Sequence, residues 1–366
     1  MSTTTPIGGP PGATADTAPT GGESITDVAR RRWAGLKAGE LGSLPIIIGL
    51  IIIAIVFQSQ NSNFLTAGNF VNLIVQAAAI TTIAMGIVFV LLLGEIDLSV
   101  GFVSGVAGVI ATILLIPDGN QLPTSVALVL ALGAGAAIGL LHGLIITKIG
   151  IPSFIVTLAG LLGWNGVVLI LIGSRGTVIL QNPTLIGLAN DFLADATAWI
   201  VLAVLVAIYA GILLYGRRSR AKAGLPAEPD LLIIGKVAGL ALAGAIVVYV
   251  MNQDRGVPYV LLVIAAAYLF WTYVLTRTRF GRHVYAVGGN AEAARRAGIS
   301  VDNVKIACFM ICSFMAALGG IVLASRLRSV DTGAGGGTIL LYSIAAAVIG
   351  GTSLFGGYGH IKSAVL

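Results

Sequence analysis

"MGIVFVLLLGEIDLSVGFVSGVAGVIATILL", residues 85–115, places two carboxylates, Glu95 and Asp97, between two long apolar runs. Charged groups at the edge of a hydrocarbon layer are costly, so they usually mark a function or the end of a helix. We predict that one membrane-spanning helix ends at the glycine before Glu95 and that Leu98 opens the next. Asp97 is then the N-cap of this second helix, and its carboxylate accepts a hydrogen bond from a backbone N–H two or three residues on, such as that of Ser99.

The helix break has more than one candidate role. A structural turn is the first interpretation, because an N-cap carboxylate gains from the helix dipole and from the unpaired N–H groups of the first turn. Glu95 is expected to bond to neighbouring helix ends, or to a basic residue of a nearby loop or of a partner. A gating or coupling role for Glu95, Asp97, Ser99 and Gly101 is the alternative, and proton transport is the least favoured one.

The composition is that of a membrane protein. Of the 366 residues, 57% are hydrophobic and 10% are charged, whereas a soluble domain carries roughly 25% charged residues. So few charges cannot cover the surface of a soluble chain of this size, and most of that surface must therefore face lipid. The formal net charge of +6 fits basic cytoplasmic loops, and we predict no nucleic-acid partner.

The sequence lacks the motifs of an enzyme or of a motor. It contains no G-x-x-x-x-G-K-[ST] loop for a nucleotide phosphate, no G-x-S-x-G elbow, and only three scattered histidines. Few charges fall inside the apolar runs, which argues against an ion-driven pump with a chain of buried carboxylates. We therefore predict no catalytic residue, metal or cofactor on this chain, and either a passive pathway or one subunit of a machine powered by a partner.

Ten apolar runs have roughly the length that a helix needs to cross the hydrocarbon layer, about 20 residues. Their approximate limits are 42–57, 70–93, 98–116, 124–147, 153–173, 195–215, 232–251, 258–276, 304–325 and 338–356. The sequence therefore predicts an all-α integral membrane protein. With the N-terminus in the cytoplasm, the inner links hold sixteen Lys and Arg residues and the outer links hold four, which is the asymmetry expected of a membrane protein.

The N-terminal segment differs from the rest of the chain. Its first 25 residues are rich in Thr, Pro, Gly and Ala without apolar periodicity, a composition that cannot bury enough surface to become ordered. Four basic residues follow between positions 30 and 37. We predict a disordered, basic, cytoplasmic tail over residues 1–40 and a transmembrane permeation domain over residues 41–366.

Small residues predict close contacts between helices. Gly135, Gly139 and Gly143 recur at every fourth position and share one helix face, a pattern that lets two membrane helices approach closely. We interpret the stripe as packing within the subunit, with a subunit interface or a pathway wall as alternatives. Cys308 and Cys312 are interpreted as small buried side chains, because their setting in an apolar run fits a metal or redox pair poorly.

The link over residues 277–305 contains "GGNAEAARRAGIS", which predicts a short helix between two breaks. Gly288 and Gly289 are expected to interrupt the chain, and Asn290 is a good N-cap. Gly298 supplies a C-terminal stop. A charged surface helix between two membrane spans suits docking in a groove of another protein, although a solvated connecting helix without a partner is the alternative.

Four motifs in the same order carry a family resemblance. "EAARRAG", residues 292–298, resembles the E-A-A-x-x-x-G loop by which permease subunits of ABC importers couple to their ATPases. The longer stretch around it, "FGRHVYAVGGNAEAARRAGI" at 280–299, and three others resemble the ribose/xylose-type sugar permease family: "GEIDLSVG" at 94–101, "IPSFIVTLAG" at 151–160 and "AAAVIGGTSLFGG" at 345–357. The stretch "DRGVP" at 254–258 and the basic link near 216–236 are more similar to the xylose branch.

The resemblance implies an architecture like that of the vitamin B12 and ribose permeases, with a pathway along the interface of a permease dimer. It implies a cytoplasmic ATPase, which would bind ATP and Mg²⁺, and a sugar-binding protein outside the inner membrane of a bacterial cell. The residues that it assigns to ATPase coupling are Gly289, Asn290, Glu292, Ala293, Ala294, Arg295 and Gly298. It also implies roughly one or two further helices after Leu366, so the chain is expected to be a truncated permease.

The pathway is less clearly marked than the coupling segment. Polar candidates at roughly helical spacing on the fifth span are Ser153, Thr157, Trp164 and Asn165, with helix packing as the alternative for each. His142 stands where members of the family often carry Asn, which leaves its role open. The function expected from the resemblance is import of xylose or a similar pentose. Import of ribose, another sugar or a branched amino acid, and a stand-alone channel or facilitator, are the alternatives.

Overall fold

A computed structural model describes residues 44–117, 121–224 and 229–366, so the predicted tail over 1–40 lies outside the described residues. The helices are α1 Leu44–Gln60, α2 Ala67–Leu92, α3 Val100–Ile113, α4 Thr124–Leu144, α5 Ser153–Ile172, α6 Pro183–Asn190, α7 Asp195–Lys222, α8 Asp230–Asn252, α9 Tyr259–Arg277, α10 Arg279–Gly289, α11 Ala291–Arg296, α12 Val301–Leu327 and α13 Ile339–Ile349. A π-helical turn, Ile145–Ile149, continues α4. Two short strands, β1 Thr177–Ile179 and β2 Ser329–Asp331, form an antiparallel pair.

Prolines mark the start of several helices. Pro123, Pro152 and Pro258 stand directly before α4, α5 and α9. A proline is tolerated there because the first N–H groups of a helix have no partner within the helix. Asn182 caps α6, and its side chain accepts a hydrogen bond from the backbone N–H of Leu185 at 3.0 Å. The limits of these helices therefore follow from local chemistry.

Each of the ten predicted spans contains a helix, but three of these helices are shorter than the others, and α3 and α13 are the shortest. Within the described residues, seven helices are long and apolar enough to cross a membrane, whereas α1, α3 and α13 are shorter apolar helices. The 14 residues of α3 and the 11 residues of α13 cover about 21 Å and about 16 Å at 1.5 Å per residue, against a hydrocarbon thickness of about 30 Å. The helices predicted at 98–116 and 338–356 are therefore shorter than expected, because turns at 114–115 and 350–351 end them inside runs that hydropathy reads as continuous.

The chain divides into two compact units. In one of them, which contains Leu202–Gly244, Arg217 at the end of α7 forms an ion pair with Asp230 at the start of α8. The other contains the described residues up to Val201 and from Ala245 onward. It carries the helix break and the link with the predicted coupling segment.

α12 lies at the centre of the larger unit and packs against α2, α3 and α4. The predicted glycine stripe of α4 is the reason for its close approach to α12. A Cβ on Gly135 would lie 2.5 Å from the Cβ of Ala317, and a Cβ on Gly143 would lie 2.8 Å from the Cα of Ile306. The interpretation of the stripe as packing within the subunit is confirmed. Cys308 and Cys312 are free and fully buried on α12, as predicted.

Candidate coupling and pathway site

The predicted docking helix is α11, and its two ends have the predicted chemistry. The side chain of Asn290 accepts a hydrogen bond from the backbone N–H of Ala293 at 2.9 Å, which satisfies one unpaired donor of the first turn. At the other end Gly298 has φ +84°. The N–H groups of Ile299 and Gly298 donate to the carbonyls of Ala294 and Arg295, both at 3.0 Å. This paired pattern closes a helix on a left-handed glycine.

The prediction that Gly288 and Gly289 interrupt the chain is wrong. Both residues lie in α10, which ends at Gly289, and the break falls at Asn290, whose backbone is extended. Gly288 serves a close approach instead, because a Cβ there would collide with the carbonyl oxygen of Leu92 at the end of α2. Glycine lowers helix propensity by only about 1 kcal/mol, and this packing offsets that cost.

α11 presents most of its residues to solvent. Gly289, Ala293 and the charged residues of the helix are exposed, whereas Ala294 is buried in the hydrophobic core of the larger unit. Glu292 in the first turn accepts a hydrogen bond from Arg296 at 3.3 Å, and both side chains are exposed. The acidic residue stands near the positive end of the helix dipole and the basic residues Arg295 and Arg296 near the negative end, which is the favourable arrangement. One face therefore anchors the helix and leaves a charged face free for a partner.

The helix break is held by Asp97, although not as an N-cap. The Oδ1 atom of Asp97 accepts hydrogen bonds from the backbone N–H of Ser99 at 2.9 Å and from its hydroxyl at 2.6 Å. The bond to the Ser99 N–H is therefore confirmed. α3 nevertheless begins at Val100, with Ser99 in the N-cap position, so the placement of the helix start at Leu98 is wrong. A side chain that bonds to the backbone two residues on forms a turn of its own, and this turn keeps Leu98 outside the helix.

A chain of polar groups extends from the buried Asp97, Ser99 and His142 to the half-buried Trp164 of α5. The Nε1–H of Trp164 donates to Nε2 of His142 at 3.1 Å, and Nδ1 of His142 lies 3.4 Å from the hydroxyl of Ser99. Indole nitrogen only donates, so Nε2 must accept and the imidazole proton is assigned to Nδ1. That proton faces the Ser99 oxygen, and the Ser99 hydroxyl in turn donates to Asp97. His142, whose role the sequence leaves open, therefore links α4, α5 and the helix break.

Trp164 and His142 also line an open groove of about 410 Å³ between α4 and α5. Among the described residues that line this groove, these two carry the polar side chains, and the others are aliphatic residues and glycines. Asn165 is half-buried on the same helix. Ser153 and Thr157 are buried in the protein, and the Thr157 hydroxyl donates to the carbonyl of Ser153 at 2.9 Å, with the carbonyl of Ile96 at 3.3 Å. The predicted pathway residues thus divide between the groove and the protein interior.

Glu95 joins three segments of the chain. Its Oε2 atom accepts a hydrogen bond from the hydroxyl of Ser153, the first residue of α5, at 2.5 Å. Its Oε1 atom forms an ion pair with Lys305 in the first turns of α12. The predicted bond to a neighbouring helix end is confirmed. Sequence reasoning missed Lys305 as the basic partner, although a lysine at the start of an apolar run is itself an unusual charge.

Comparisons of the sequence with known proteins identify the family of the chain. Residues 69–366 match the model of the family described as "Branched-chain amino acid transport system / permease component". The chain is 36% identical over 335 residues, 91% of its length and 84% of the relative, to the xylose transport system permease protein XylH of Escherichia coli. It is 30% identical over 339 residues, 93% of its length and 86% of the relative, to the ribose import permease protein RbsC of the same species.

The xylose transport system permease protein XylH of Haemophilus influenzae is 35% identical over 333 residues, 88% of this chain and 86% of the relative. No solved structure matches the chain. The family match and these identities cover the helix break, the groove and the coupling segment together. The chain therefore belongs to the family of branched-chain amino acid transport system permease components, as a multi-pass membrane permease near the xylose and ribose permeases.

Proposed function

We propose that this chain is the membrane-spanning subunit of an ATP-driven importer for xylose or a similar pentose. The observation that carries the proposal is the 36% identity to a xylose permease over 91% of the chain, compared with 30% to a ribose permease. The described site supports transport, because a polar hydrogen-bonded chain reaches an open, largely apolar groove. A passing monosaccharide offers hydroxyl groups to such polar atoms and an apolar face to an indole ring.

The proposal includes three protein partners. A cytoplasmic ATPase docks on α11 and binds ATP and Mg²⁺, whereas this chain binds no cofactor. The exposed, doubly capped geometry of α11 supports this docking, because a helix that is already ordered loses little entropy when it binds. A sugar-binding protein delivers the solute from outside, and a second copy of the permease forms the other wall of the pathway. The permease residues occupy 41–366, and the tail over 1–40 faces the cytoplasm of a bacterial cell.

Transport in sealed vesicles tests the proposal. Vesicles that contain this chain, its ATPase and its binding protein are supplied with labelled xylose, ribose or leucine, with and without ATP. We expect ATP-dependent uptake with xylose as the preferred solute. Preference for ribose or leucine would support an ATP-driven importer but reject xylose as its main substrate. Uptake that ignores ATP and persists without the ATPase would identify a stand-alone channel instead.

A further inference from the structure

Glu95 occupies a position from which it touches both the coupling side and the pathway side of the larger unit. The chain separates it from Ser153 by 58 residues and from Lys305 by 210 residues. Lys305 lies nine residues after the end of α11. It belongs to α12, the helix that directly follows the coupling segment. Ser153 opens α5, which carries Trp164 and one side of the groove. A single carboxylate therefore connects the two regions.

The loop that carries Glu95 is firmly attached on both sides. The backbone N–H of Glu95 donates to the carbonyl of Val90 at 3.1 Å, which ties the loop to the end of α2. The Thr157 hydroxyl on α5 has its shorter hydrogen bond, 2.9 Å, to the carbonyl of Ser153 and also lies 3.3 Å from the carbonyl of Ile96, so the loop packs directly against α5. The carboxylate of Glu95, which accepts from the hydroxyl of Ser153, is thus the direct bond between this loop and α5.

The coupling side is attached in a similar way. The Schellman-type end of α11 is fixed to its own last turn, and only the four residues 297–300 separate α11 from the start of α12 at Val301. A displacement of α11 by a docked partner is therefore passed to the start of α12, where Lys305 stands. The Lys305 and Glu95 side chains are only 24% and 18% exposed, so solvent and salt screen this pair less than an ion pair on the surface.

Resting on the proposed function, we propose that Glu95 is a positioning residue that transmits the movement of the docking helix to α5 through Lys305 and Ser153. The loop over residues 93–99 is then the mechanical link between ATP hydrolysis in the partner and the opening of the groove. This role differs from docking itself, because Glu95 does not belong to the exposed face of α11. Loss of the link should uncouple hydrolysis from movement without detaching the ATPase.

The test compares Glu95→Gln, Lys305→Gln and the exchanged pair Glu95→Lys with Lys305→Glu, in the full chain with its ATPase in lipid discs. A reporter cysteine at Leu158, an exposed position on α5, is labelled with and without ATP. We expect the ATP-dependent change in labelling to fall about tenfold in each Gln variant, a coupling loss of ordinary size. The exchanged pair should recover most of it, while pull-down of the ATPase stays unchanged. In vesicles, the amount of solute transported per ATP hydrolysed should fall in the Gln variants and recover in the exchanged pair, as the labelling does.

Lys148→Gln is the matched control, since Lys148 pairs with Asp302 at 3.1 Å but is 58% exposed, and its effect should stay within about twofold. Wild-type labelling in both Gln variants would overturn the proposal. So would equal damage in the exchanged pair and the Gln variants, because the pair would then serve stability alone. The labelling experiment needs no transported solute. If the wild type failed to transport xylose, the proposed function would be rejected, and the role of Glu95 would still be tested by labelling at position 158.

Discussion

At the residue scale, Asp97 illustrates how a buried carboxylate stabilises a turn through one of its two oxygens. Oδ1 accepts from both donors of Ser99, whereas Oδ2 is buried without a hydrogen-bond partner among the described residues. The turn thus needs one acceptor oxygen and has no described partner for the second. This asymmetry separates the need for an acceptor from the need for a charge.

We expect Asp97→Ala to lower the free energy of unfolding by about 1–3 kcal/mol, because it leaves the buried donors of Ser99 without their acceptor. Asp97→Asn keeps an acceptor oxygen and should stay close to wild type. Thermal unfolding of the purified permease in detergent, with expression level as a second readout, checks both variants. If Asn were as damaging as Ala in stability, or folded normally and lost transport, the charge itself would be required.

Gly160 leaves room for the imidazole of His142, which accepts the hydrogen bond of Trp164. A Cβ at this position would lie 2.8 Å from Nε2 of His142 and 3.3 Å from the Cβ of Ser99. We expect Gly160→Ala to displace the imidazole and to lower the unfolding temperature, although alanine is the better helix former by about 1 kcal/mol.

Gly163→Ala is the matched control on the same helix, because open space surrounds that position. It should be neutral or slightly stabilising. Thermal unfolding and the near-ultraviolet signal of tryptophan report the two variants side by side. Equal behaviour of Gly160→Ala and Gly163→Ala would show that the described packing around His142 does not constrain the position.

At the scale of the elements, α11 is a short helix defined entirely by its ends. Six residues make a marginal helix, because nucleation is costly and short helices gain few hydrogen bonds. Asn290 and Gly298 supply the hydrogen bonds that the helix cannot make internally. Its orientation relative to α12 therefore depends on the left-handed turn at Gly298.

We expect Gly298→Val to weaken association with the ATPase by about tenfold or more, as when one of a few dominant contacts is disturbed. A side chain at φ +84° costs roughly 1–2 kcal/mol, so the turn should reorganise and redirect the helix. Insertion in the membrane should persist. Pull-down of the ATPase and stimulated ATP hydrolysis in lipid discs measure the effect, together with Glu292→Ala as a second change on the same face.

Gly150→Val is the matched control for this change, because Gly150 has φ +82° and open space around it but lies in a different link. It should cost similar stability and leave docking intact. Normal docking and hydrolysis in the Gly298→Val and Glu292→Ala double variant would refute the docking role and favour a stand-alone channel.

At the scale of the whole molecule, the larger unit separates two sets of links. Lys148 pairs with Asp302, and Lys305 pairs with Glu95, so links predicted to be cytoplasmic lie together. At the other end, β1 pairs with β2, which joins two links predicted to face outward. The contacts thus group the links as the basic asymmetry does, while the orientation in the membrane stays a prediction.

We expect an impermeant thiol reagent applied outside intact cells to label Asn61→Cys and to leave Arg296→Cys unlabelled. Both positions are exposed, whereas the native Cys308 and Cys312 are fully buried and should contribute little background. Labelling after permeabilisation confirms that position 296 is reactive. Labelling at position 296 but not at position 61 in intact cells would contradict the predicted orientation of the chain in the membrane.

Local chemistry made much of this protein predictable. The apolar runs predicted a helix in every span, Asn290 and Gly298 predicted both ends of α11, and the glycine stripe predicted close packing, because each signal depends on residues within a few turns of one another. Motifs of the same local kind carried the family resemblance, which the comparisons confirmed.

Contacts between distant segments could not be predicted from local chemistry. Lys305 as the partner of Glu95, and His142 between Ser99 and Trp164, involve residues 22 to 210 positions apart. Hydropathy and propensity describe how a segment prefers to fold, whereas the choice of partner for a buried polar group is made when helices pack and few donors and acceptors remain within reach.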